Sequence, residues 1–271
     1  AHPSVRLVTF TGSTDIGRDV SIKAAQNLKR VSLEMGGKNA IVVMDDADVD
    51  LAIDGIVWSA FGTSGQRCTA CSRLIVHQAI KKPLMDKLVA RVSKLRLGDG
   101  LLSTTDVGPV INKKAAQKIH EYTEIAKSEG AAVLTGGAIA TEGELAKGSF
   151  YKPTLFDNVT PTMRVAQEEI FGPSLSVLTV DSLEQAIDVN NRTNFGLSTA
   201  VYTSDVNRAF EAMRDVTTGL LYINAGTIGS EVQLPFGGTR GTGNGHREGG
   251  GPVVLDTFCE WKTIYVDYSG R

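Results

Sequence analysis

The feature that most constrains the fold is a repeated alternation of short β-prone runs with longer segments of helical spacing. Val5–Phe10 has the pattern of a buried strand and leads through a glycine turn into a helix that runs to about Gln26. Residues 48–62 place their apolar side chains along one helical stripe. Further strands are expected at 30–35, 39–44, 73–77, 131–137, 174–180, 197–203 and 219–224, and further helices at about 80–94, 112–129, 182–192 and 205–216. The alternation predicts an α/β fold with a mostly parallel sheet.

Composition argues against several classes of protein. The chain has 271 residues, of which 42% are hydrophobic and 21% charged, as in ordinary globular proteins. The net charge of −2 and the lack of a Lys/Arg-rich run argue against a nucleic-acid partner. No run approaches the roughly 18 apolar residues of a membrane span, and the start lacks the basic and apolar regions of a signal peptide. Three cysteines are too few for a disulfide framework, which favours a reducing, cytoplasmic compartment.

Two of the cysteines, Cys68 and Cys71, have a C-x-x-C spacing in the stretch SGQRCTACSR. A structural zinc site usually needs four ligands, but Cys259 and four scattered histidines offer no paired spacing, so we expect no metal. A redox pair normally opens a helix in a much smaller domain. A third interpretation is that the flexible turn Ser64–Gln66 presents Cys68 as a nucleophile. These residues alone do not separate a nucleophile from an inert buried cysteine.

The stretch FTGSTDIG, Phe10 to Gly17, is a candidate phosphate site. A strand runs into a glycine and a serine, and a helix then opens, so that backbone N–H groups could hold a phosphate. The pattern lacks the P-loop lysine and the G-x-G-x-x-G spacing of dinucleotide folds. An ordinary strand–helix turn explains it equally.

Glu34 stands in the stretch SLEMGGKNA, between apolar neighbours on a predicted strand and just before two glycines. We expect its carboxylate to be partly desolvated, which raises the pKa and suits a general base near neutral pH. The alternative is a strand-end glutamate in a salt bridge.

A pair of carboxylates, Glu168 and Glu169, precedes an aromatic residue and a Gly-Pro turn in QEEIFGPS. An acidic side chain on such a loop can bind ribose hydroxyls. Paired carboxylates are also found in hydrolases and metal sites, and the local sequence does not decide between these.

Taken together and in this order, the motifs resemble the aldehyde dehydrogenase superfamily, over a stretch from Phe10 to the C-terminus. The cysteine block is similar to those of the antiquitin and semialdehyde branches, although no branch is assigned. The blocks that carry the resemblance are LEMGGKNA, FGTSGQRCTA, EEIFGP, NFGLSTAVYT and LPFGGTRGTGNGHREGG. The resemblance implies oxidation of a small-molecule aldehyde to an acid with NAD or NADP.

The resemblance also implies roles for the catalytic candidates. Cys68 would be the nucleophile that forms a thiohemiacetal and then a thioester, and Cys71 a nearby structural residue. Glu34 would activate the water that hydrolyses the thioester. The backbone N–H of Cys68 would supply half of an oxyanion hole. Glu248 matches a family glutamate that stands behind the base as a proton relay.

For the cofactor, the resemblance places a set of contacts along the chain. Gly12 and Ser13 would lie against the pyrophosphate, and Glu169 would accept hydrogen bonds from the nicotinamide ribose. The full set of expected cofactor contacts is Gly12, Ser13, Gly17, Gly36, Glu169 and Phe171.

Arg67 immediately precedes Cys68 and has two interpretations. It could anchor an anionic aldehyde, because a guanidinium pairs bidentately with carboxylate or phosphate. It could equally be a solvated or interface arginine.

The resemblance further implies a homodimer or homotetramer. Arg30, Arg247 and Glu260 match a family salt-bridge network at the subunit interface, and the β-prone segment Thr257–Tyr268 would be the oligomerisation strand.

The resemblance covers roughly the C-terminal half of the family's usual subunit. We therefore expect a remnant of the NAD(P)-binding domain at 1–36, a catalytic domain at 37–256 and the oligomerisation strand at 257–271. The early strands of the cofactor domain, the lysine that contacts the adenosine ribose and the asparagine that completes the oxyanion hole have no counterpart. The alternative function is a non-catalytic module that assembles with full-length subunits.

Overall fold

The structure, a computed structural model, describes residues 2–248 and 250–270. Its strands are β1 (Leu7–Thr11), β2 (Arg30–Glu34), β3 (Asn39–Val43), β4 (Cys71–His77), β5 (Ala132–Thr135), β6 (Thr154–Asp157), β7 (Ser174–Val180), β8 (Phe195–Gly196), β9 (Ser198–Tyr202), β10 (Leu220–Ile223) and β11 (Thr239–Arg240). Its helices are α1 (Thr14–Ala25), α2 (Val49–Phe61), α3 (Gln78–Val92), α4 (Lys113–Ser128), α5 (Arg164–Gln167), α6 (Leu183–Asn191), α7 (Val206–Asp215) and α8 (Pro252–Phe258), with a 3₁₀ turn at Gly143–Lys147. The predicted α/β fold is confirmed.

A seven-stranded sheet forms the centre of the molecule, in the order β10-β9-β3-β4-β7-β6-β5. Its strand pairs are parallel except for β5, which runs antiparallel to β6. Strand β3 shows how both faces are covered: Ile41 and Val43 pack with α2 and α3, and Ala40 and Val42 pack with α4 and α6. Burial on both faces explains why its sequence is continuously apolar instead of alternating.

Strands β1 and β2 form a separate parallel pair, with Thr11 opposite Glu34. The glycine-rich loop that follows β10 lies along β2. Met35 N–H donates to Thr242 O at 2.7 Å, and Leu33 N–H donates to Asn244 Oδ1 at 3.0 Å. These bonds satisfy backbone groups along β2 that β1 does not reach, and they hold Glu34 against the loop. The three-part division of the chain at 36/37 and 256/257 stays a prediction.

Within the described residues, the C-terminal segment forms no strand in the single chain, and its expected role as an oligomerisation strand stays a prediction. Thr257 and Phe258 belong to α8, whose first residue is Pro252, a residue favoured at the first helical position. Residues 259–268 form no strand within the chain, and Trp261 and Tyr268 are 91% and 94% exposed. The segment has no partner strand in the described part of the chain, and a strand without a ladder does not form.

None of the described helices combines the length and the apolar character that crossing a membrane requires.

Candidate functional site

Cys68 lies on the turn that joins α2 to β4. Ser64 and Gly65 both have positive φ, at 55° and 65°. A Cβ on Gly65 would collide with the carbonyl oxygen of Gly172, so this position requires glycine. Ser64 Oγ donates to Gly108 O at 2.8 Å, which ties the turn to the loop before α4.

The two cysteines of the C-x-x-C stretch have different surroundings, and both thiols are free. Cys71 is 2% exposed, and burial raises its pKa to about 12. Cys68 is half-buried. Burial and the charge of Glu34 raise the pKa of the Cys68 thiol, while the backbone N–H groups of Thr69 and of Cys68 itself lower it. Because a thiolate is the reactive form, Cys71 is unsuited to redox or metal chemistry.

The described residues contain no group of three or more His, Cys, Asp or Glu side chains that could hold a metal ion.

Glu34 ends β2 with both carboxylate oxygens buried and without a hydrogen-bond partner in the described chain. Burial and then the charge of Glu248 raise its pKa to about 8, against a smaller lowering by Arg247. A salt-bridged strand end would show a lowered pKa, so the structure favours the desolvated interpretation of this residue.

Glu34, Cys68 and Glu169 are brought together around the glycine pair that follows β2. The charges of Glu34 and Glu169 both raise the pKa of Cys68. A Cβ on Gly37 would lie 2.5 Å from Cys68 O, and one on Gly36 would lie 2.6 Å from Glu169 Oε2. The backbone here passes so close to both groups that no side chain fits.

The two adjacent carboxylates of QEEIFGPS are distinguished by their partners. Glu168 accepts from Arg164 and, at 2.7 Å, from Tyr122 Oη, and the Arg164 guanidinium lowers its pKa. Glu169 Oε1 accepts from Gly37 N–H at 2.9 Å, and burial raises its pKa. Glu168 is thus a salt-bridge residue, and Glu169 faces the site. Phe171, nearby, is 42% exposed with a φ of 59°.

The turn between β1 and α1 lies beside Glu34. Gly12 N–H donates to Glu34 O at 3.0 Å. Ser13 caps α1 in extended conformation without a side-chain hydrogen bond, and it is exposed. Gly17 is buried, and a Cβ there would collide with Met35 Sδ. The expected pyrophosphate contacts therefore lie next to the glutamate end of β2.

Arg67 is exposed and lines a cavity of about 580 Å³. The residues that line it also include Trp58, Tyr222, Glu231 and Phe236. The described residues place no carboxylate within ion-pair distance of the Arg67 guanidinium. A volume of this size is typical of small-molecule sites.

The expected interface residues lie apart in the single chain. Arg30 Nη1 donates to Cys259 O at 2.9 Å, and Arg247 Nη1 donates to Gly238 O at 3.1 Å. Glu260 is exposed. The described residues show no ion pair among Arg30, Arg247 and Glu260, so their interface role stays a prediction. Glu248 pairs through its backbone with Phe236, and its charge acts on Glu34.

Sequence reasoning missed two polar residues next to the glycine pair. Lys38 is buried, its Nζ has no hydrogen-bond partner among the described residues, and burial followed by the charge of Arg73 lowers its pKa to about 7. Asn39 is 2% exposed and donates to Cys68 O at 2.6 Å. Two polar side chains at the start of an apolar buried strand were the available signal.

This fold and site define an α/β protein in which a half-buried thiol lies close to the buried carboxyl group of Glu34 and the half-buried one of Glu169. The sequence model of the Aldehyde dehydrogenase family matches residues 1–264, and the chain belongs to that family. It is 38% identical over 265 residues to the alpha-ketoglutaric semialdehyde dehydrogenase of Bacillus subtilis, covering 98% of this chain and 54% of that protein. It is also 38% identical to a betaine aldehyde dehydrogenase of Rhizobium leguminosarum, over the same shares.

Solved structures resemble the chain closely. The betaine aldehyde dehydrogenase of Staphylococcus aureus in complex with NAD+ has a TM-score of 0.91 at 35% identity, over 95% of this chain and 50% of that one. HpcC from Thermus thermophilus has a TM-score of 0.93 at 37% identity, over 100% and 54%. The chain thus spans about half the length of the relatives it matches.

Proposed function

We propose that the chain carries the nucleophile and the base of an NAD(P)+-dependent aldehyde dehydrogenase. The observation that supports this most is the pairing of Cys68 with Glu34, whose pKa is raised to about 8 in a site that also holds Glu169. Cys68 attacks the aldehyde carbonyl to give a thiohemiacetal, and loss of hydride leaves a thioester on the sulfur.

Glu34 serves as the general base for the hydrolytic step. Its carboxylate oxygens accept no hydrogen bond from the residues that the structure describes, so one of them is free to take a proton from water. A pKa of about 8 leaves the group mostly protonated at pH 7 and ionised above pH 8. Turnover should therefore rise as the pH rises through about 8. Glu248 connects Glu34 to solvent as a proton relay.

The site residues fit a nicotinamide cofactor. Glu169 Oε1 is held by Gly37 N–H, while Oε2 has no hydrogen-bond partner in the described chain and is available to a ribose hydroxyl. The close approach of the Gly36 backbone to this carboxylate requires glycine, because a Cβ there would lie 2.6 Å from Oε2. Gly12, Ser13 and Gly17 would bind the pyrophosphate, and Phe171 would lie beside the nicotinamide. When bound, the cofactor accepts the hydride.

The substrate is proposed to be an aldehyde with an anionic group. Arg67 lies on the cavity beside the nucleophile turn and is unpaired with any described carboxylate, so its guanidinium is free for a ligand. The aromatic side chains that line the cavity would cover the carbon chain of the substrate, between its anionic group and its aldehyde group. The related protein from Bacillus subtilis is named for an anionic semialdehyde, which agrees with this choice.

The experiment that tests the function measures NAD(P)H formation by the polypeptide as its gene encodes it. An anionic semialdehyde should be oxidised, Cys68→Ala should abolish the reaction, and Cys259→Ser, at an exposed thiol, should retain it. Full activity of Cys68→Ala would overturn the proposal.

A second candidate is an assembly module, which the exposed C-terminal segment favours. Trp261, Tyr265 and Tyr268 are each at least 88% exposed, and such apolar surface marks an interaction site. We propose that residues 259–268 add to a partner subunit in a homodimer or homotetramer. Light scattering should show a dimer or tetramer that dissociates when the chain is cut after Phe258. A wild-type monomer would contradict the assembly.

A further inference from the structure

Three consecutive backbone carbonyls of the nucleophile turn accept hydrogen bonds from side chains that lie far away in the sequence. Asn39 Nδ2 donates to Cys68 O at 2.6 Å and to Ala70 O at 2.9 Å. Thr227 Oγ1 donates to the carbonyl between them, Thr69 O, at 2.7 Å. We call these two donors the carbonyl clamp.

Both donors are fixed by their own surroundings. Asn39 lies on β3, and its Oδ1 accepts from Ser198 N–H on β9 at 3.0 Å, which uses the acceptor side of the amide. Thr227 has no exposed surface, and its N–H donates to Ser59 Oγ on α2 at 3.1 Å. The clamp therefore ties the turn to the rigid centre of the fold: a rotamer change at Asn39 would also break the bond from Ser198, and the backbone of Thr227 is held to α2.

The clamp determines where the amide protons of the turn point. In a planar trans peptide, the C=O and the N–H point in opposite directions. Because Asn39 holds Cys68 O on one side, the N–H of Thr69 is directed to the other side, toward the Cys68 sulfur, and it lowers the pKa of the thiol. Thr227 fixes the next peptide in the same way, and Ala70 N–H donates to Arg67 O at 3.0 Å, which closes the turn.

We propose that Asn39 and Thr227 are positioning residues: Asn39 holds the peptide whose Thr69 N–H faces the Cys68 sulfur, Thr227 holds the peptide whose Ala70 N–H closes the turn on Arg67 O, and together they stabilise the thiolate. The proposal rests on the proposed role of Cys68 as the nucleophile. Neither side chain touches the reacting atoms, and each acts through the carbonyl that it binds. A purely structural role would affect folding without changing how Cys68 ionises in the folded protein.

The test is the pH dependence of Cys68 alkylation by iodoacetamide, followed by mass spectrometry in the gene-encoded polypeptide without aldehyde or cofactor. Thr227→Val keeps the shape of the side chain and removes the donor, while Thr227→Ser keeps the donor. We expect Thr227→Val to shift the Cys68 profile to higher pH and to slow alkylation at pH 8 about fivefold, the scale of one hydrogen bond. Thr227→Ser should stay within about twofold of wild type, since it preserves that bond.

Asn39→Ser, which removes the donor to Cys68 O directly, should give the larger shift. The exposed Cys259 serves as the internal rate reference, and protection of the buried Cys71 reports that a variant is folded. If Thr227→Val exposes Cys71, Asn39→Ser carries the comparison. Wild-type Cys68 profiles in the folded variants would overturn the clamp. Activity retained by Cys68→Ala would instead refute the proposed function. The pH profiles of Cys68 alkylation would still test the clamp, because they are measured without aldehyde or cofactor.

Discussion

Glu34 and Arg247 meet over Gly237: a Cβ placed on that glycine would lie 2.7 Å from Glu34 Oε1 and 3.0 Å from Arg247 Cδ. The guanidinium of Arg247 is held by carbonyls of the glycine-rich loop, at 3.1 Å from Gly238 O and 3.3 Å from His246 O. The loop thus brings a positive charge beside the buried base, where it opposes the effects of burial and of Glu248 on the pKa.

Replacing Arg247 by Gln should therefore raise the pKa of Glu34 further above about 8. We expect the rate of thioester hydrolysis to reach half its maximum at a higher pH in Arg247→Gln than in wild type, with Arg247→Lys in between. Steady-state turnover of the three proteins, measured between pH 6 and pH 10, checks this. Identical profiles for the three proteins would mean that Arg247 does not act on the base.

The raised pKa of Glu34 also predicts how stability depends on pH. The folded protein holds a proton on Glu34 up to about pH 8, whereas the unfolded chain loses it near pH 4.5. The folded state therefore binds more protons between these values, and the Glu34 contribution to stability is lost as the pH rises through that window. Lys38, whose pKa is lowered to about 7, makes stability rise with pH above that value. The Glu34 contribution is therefore read from the difference between wild type and a Glu34 variant.

Urea unfolding of wild type and Glu34→Gln isolates that contribution. The variant should gain stability relative to wild type as the pH rises from 4.5 to 8, and the difference should level off above that range. A constant difference between the two proteins across the range would show that Glu34 ionises normally in the folded state.

The anionic-aldehyde proposal predicts a split between substrates in Arg67→Met. For an aldehyde with a carboxylate, KM should rise by about 10- to 100-fold, which corresponds to roughly 1.5–3 kcal/mol for a hydrogen bond to a charged group. For a neutral aliphatic aldehyde of similar length, kcat/KM should change little. Equal losses on both substrates would indicate that Arg67 supports the Cys68 turn and does not bind the anion.

Many of the elements could be predicted from local patterns. The strands that became β3, β4, β7 and β9 are apolar runs between breakers, and α2, α4 and α6 have one apolar stripe each. The strand β6 was missed because it has only four residues and follows Pro153. The C-terminal segment was placed as a strand from its alternating pattern, which says nothing about whether a partner strand is present.

In the candidate site, too, some residues could be predicted from the sequence and some contacts could not. Cys68, Glu34 and Glu169 stand in sequence blocks that resemble those of the family, so their proximity could be predicted from the sequence. The carbonyl clamp could not, since Asn39 and Thr227 act on the turn from 29 and 158 residues away. Such contacts depend on how β3, β9 and the loop after β10 pack, and no local pattern encodes that packing.

The labelling of the three cysteines is expected to follow their exposure and their pKa values. Cys259 should react first with iodoacetamide, Cys68 next, and Cys71 last, since Cys71 is buried and its pKa is raised to about 12. Raising the pH from 7 to 9 should speed Cys68 labelling more than Cys71 labelling. If peptide mapping found Cys71 modified before Cys68, the accessible thiol of the C-x-x-C stretch would be Cys71, and the assignment of Cys68 would be wrong.

The most direct test of the central claim, that Cys68 forms a thioester whose hydrolysis Glu34 catalyses as the base, is a pre-steady-state burst experiment with Glu34→Gln in the gene-encoded polypeptide, with aldehyde and NAD(P)+ in excess. The glutamine keeps the shape of the side chain but cannot take a proton from water, so acylation proceeds and hydrolysis slows. Our account predicts a stoichiometric burst of NAD(P)H, slow turnover thereafter, and an acyl group on the Cys68 peptide by mass spectrometry. Wild-type steady-state turnover without a burst or an acylated Cys68 peptide would contradict it.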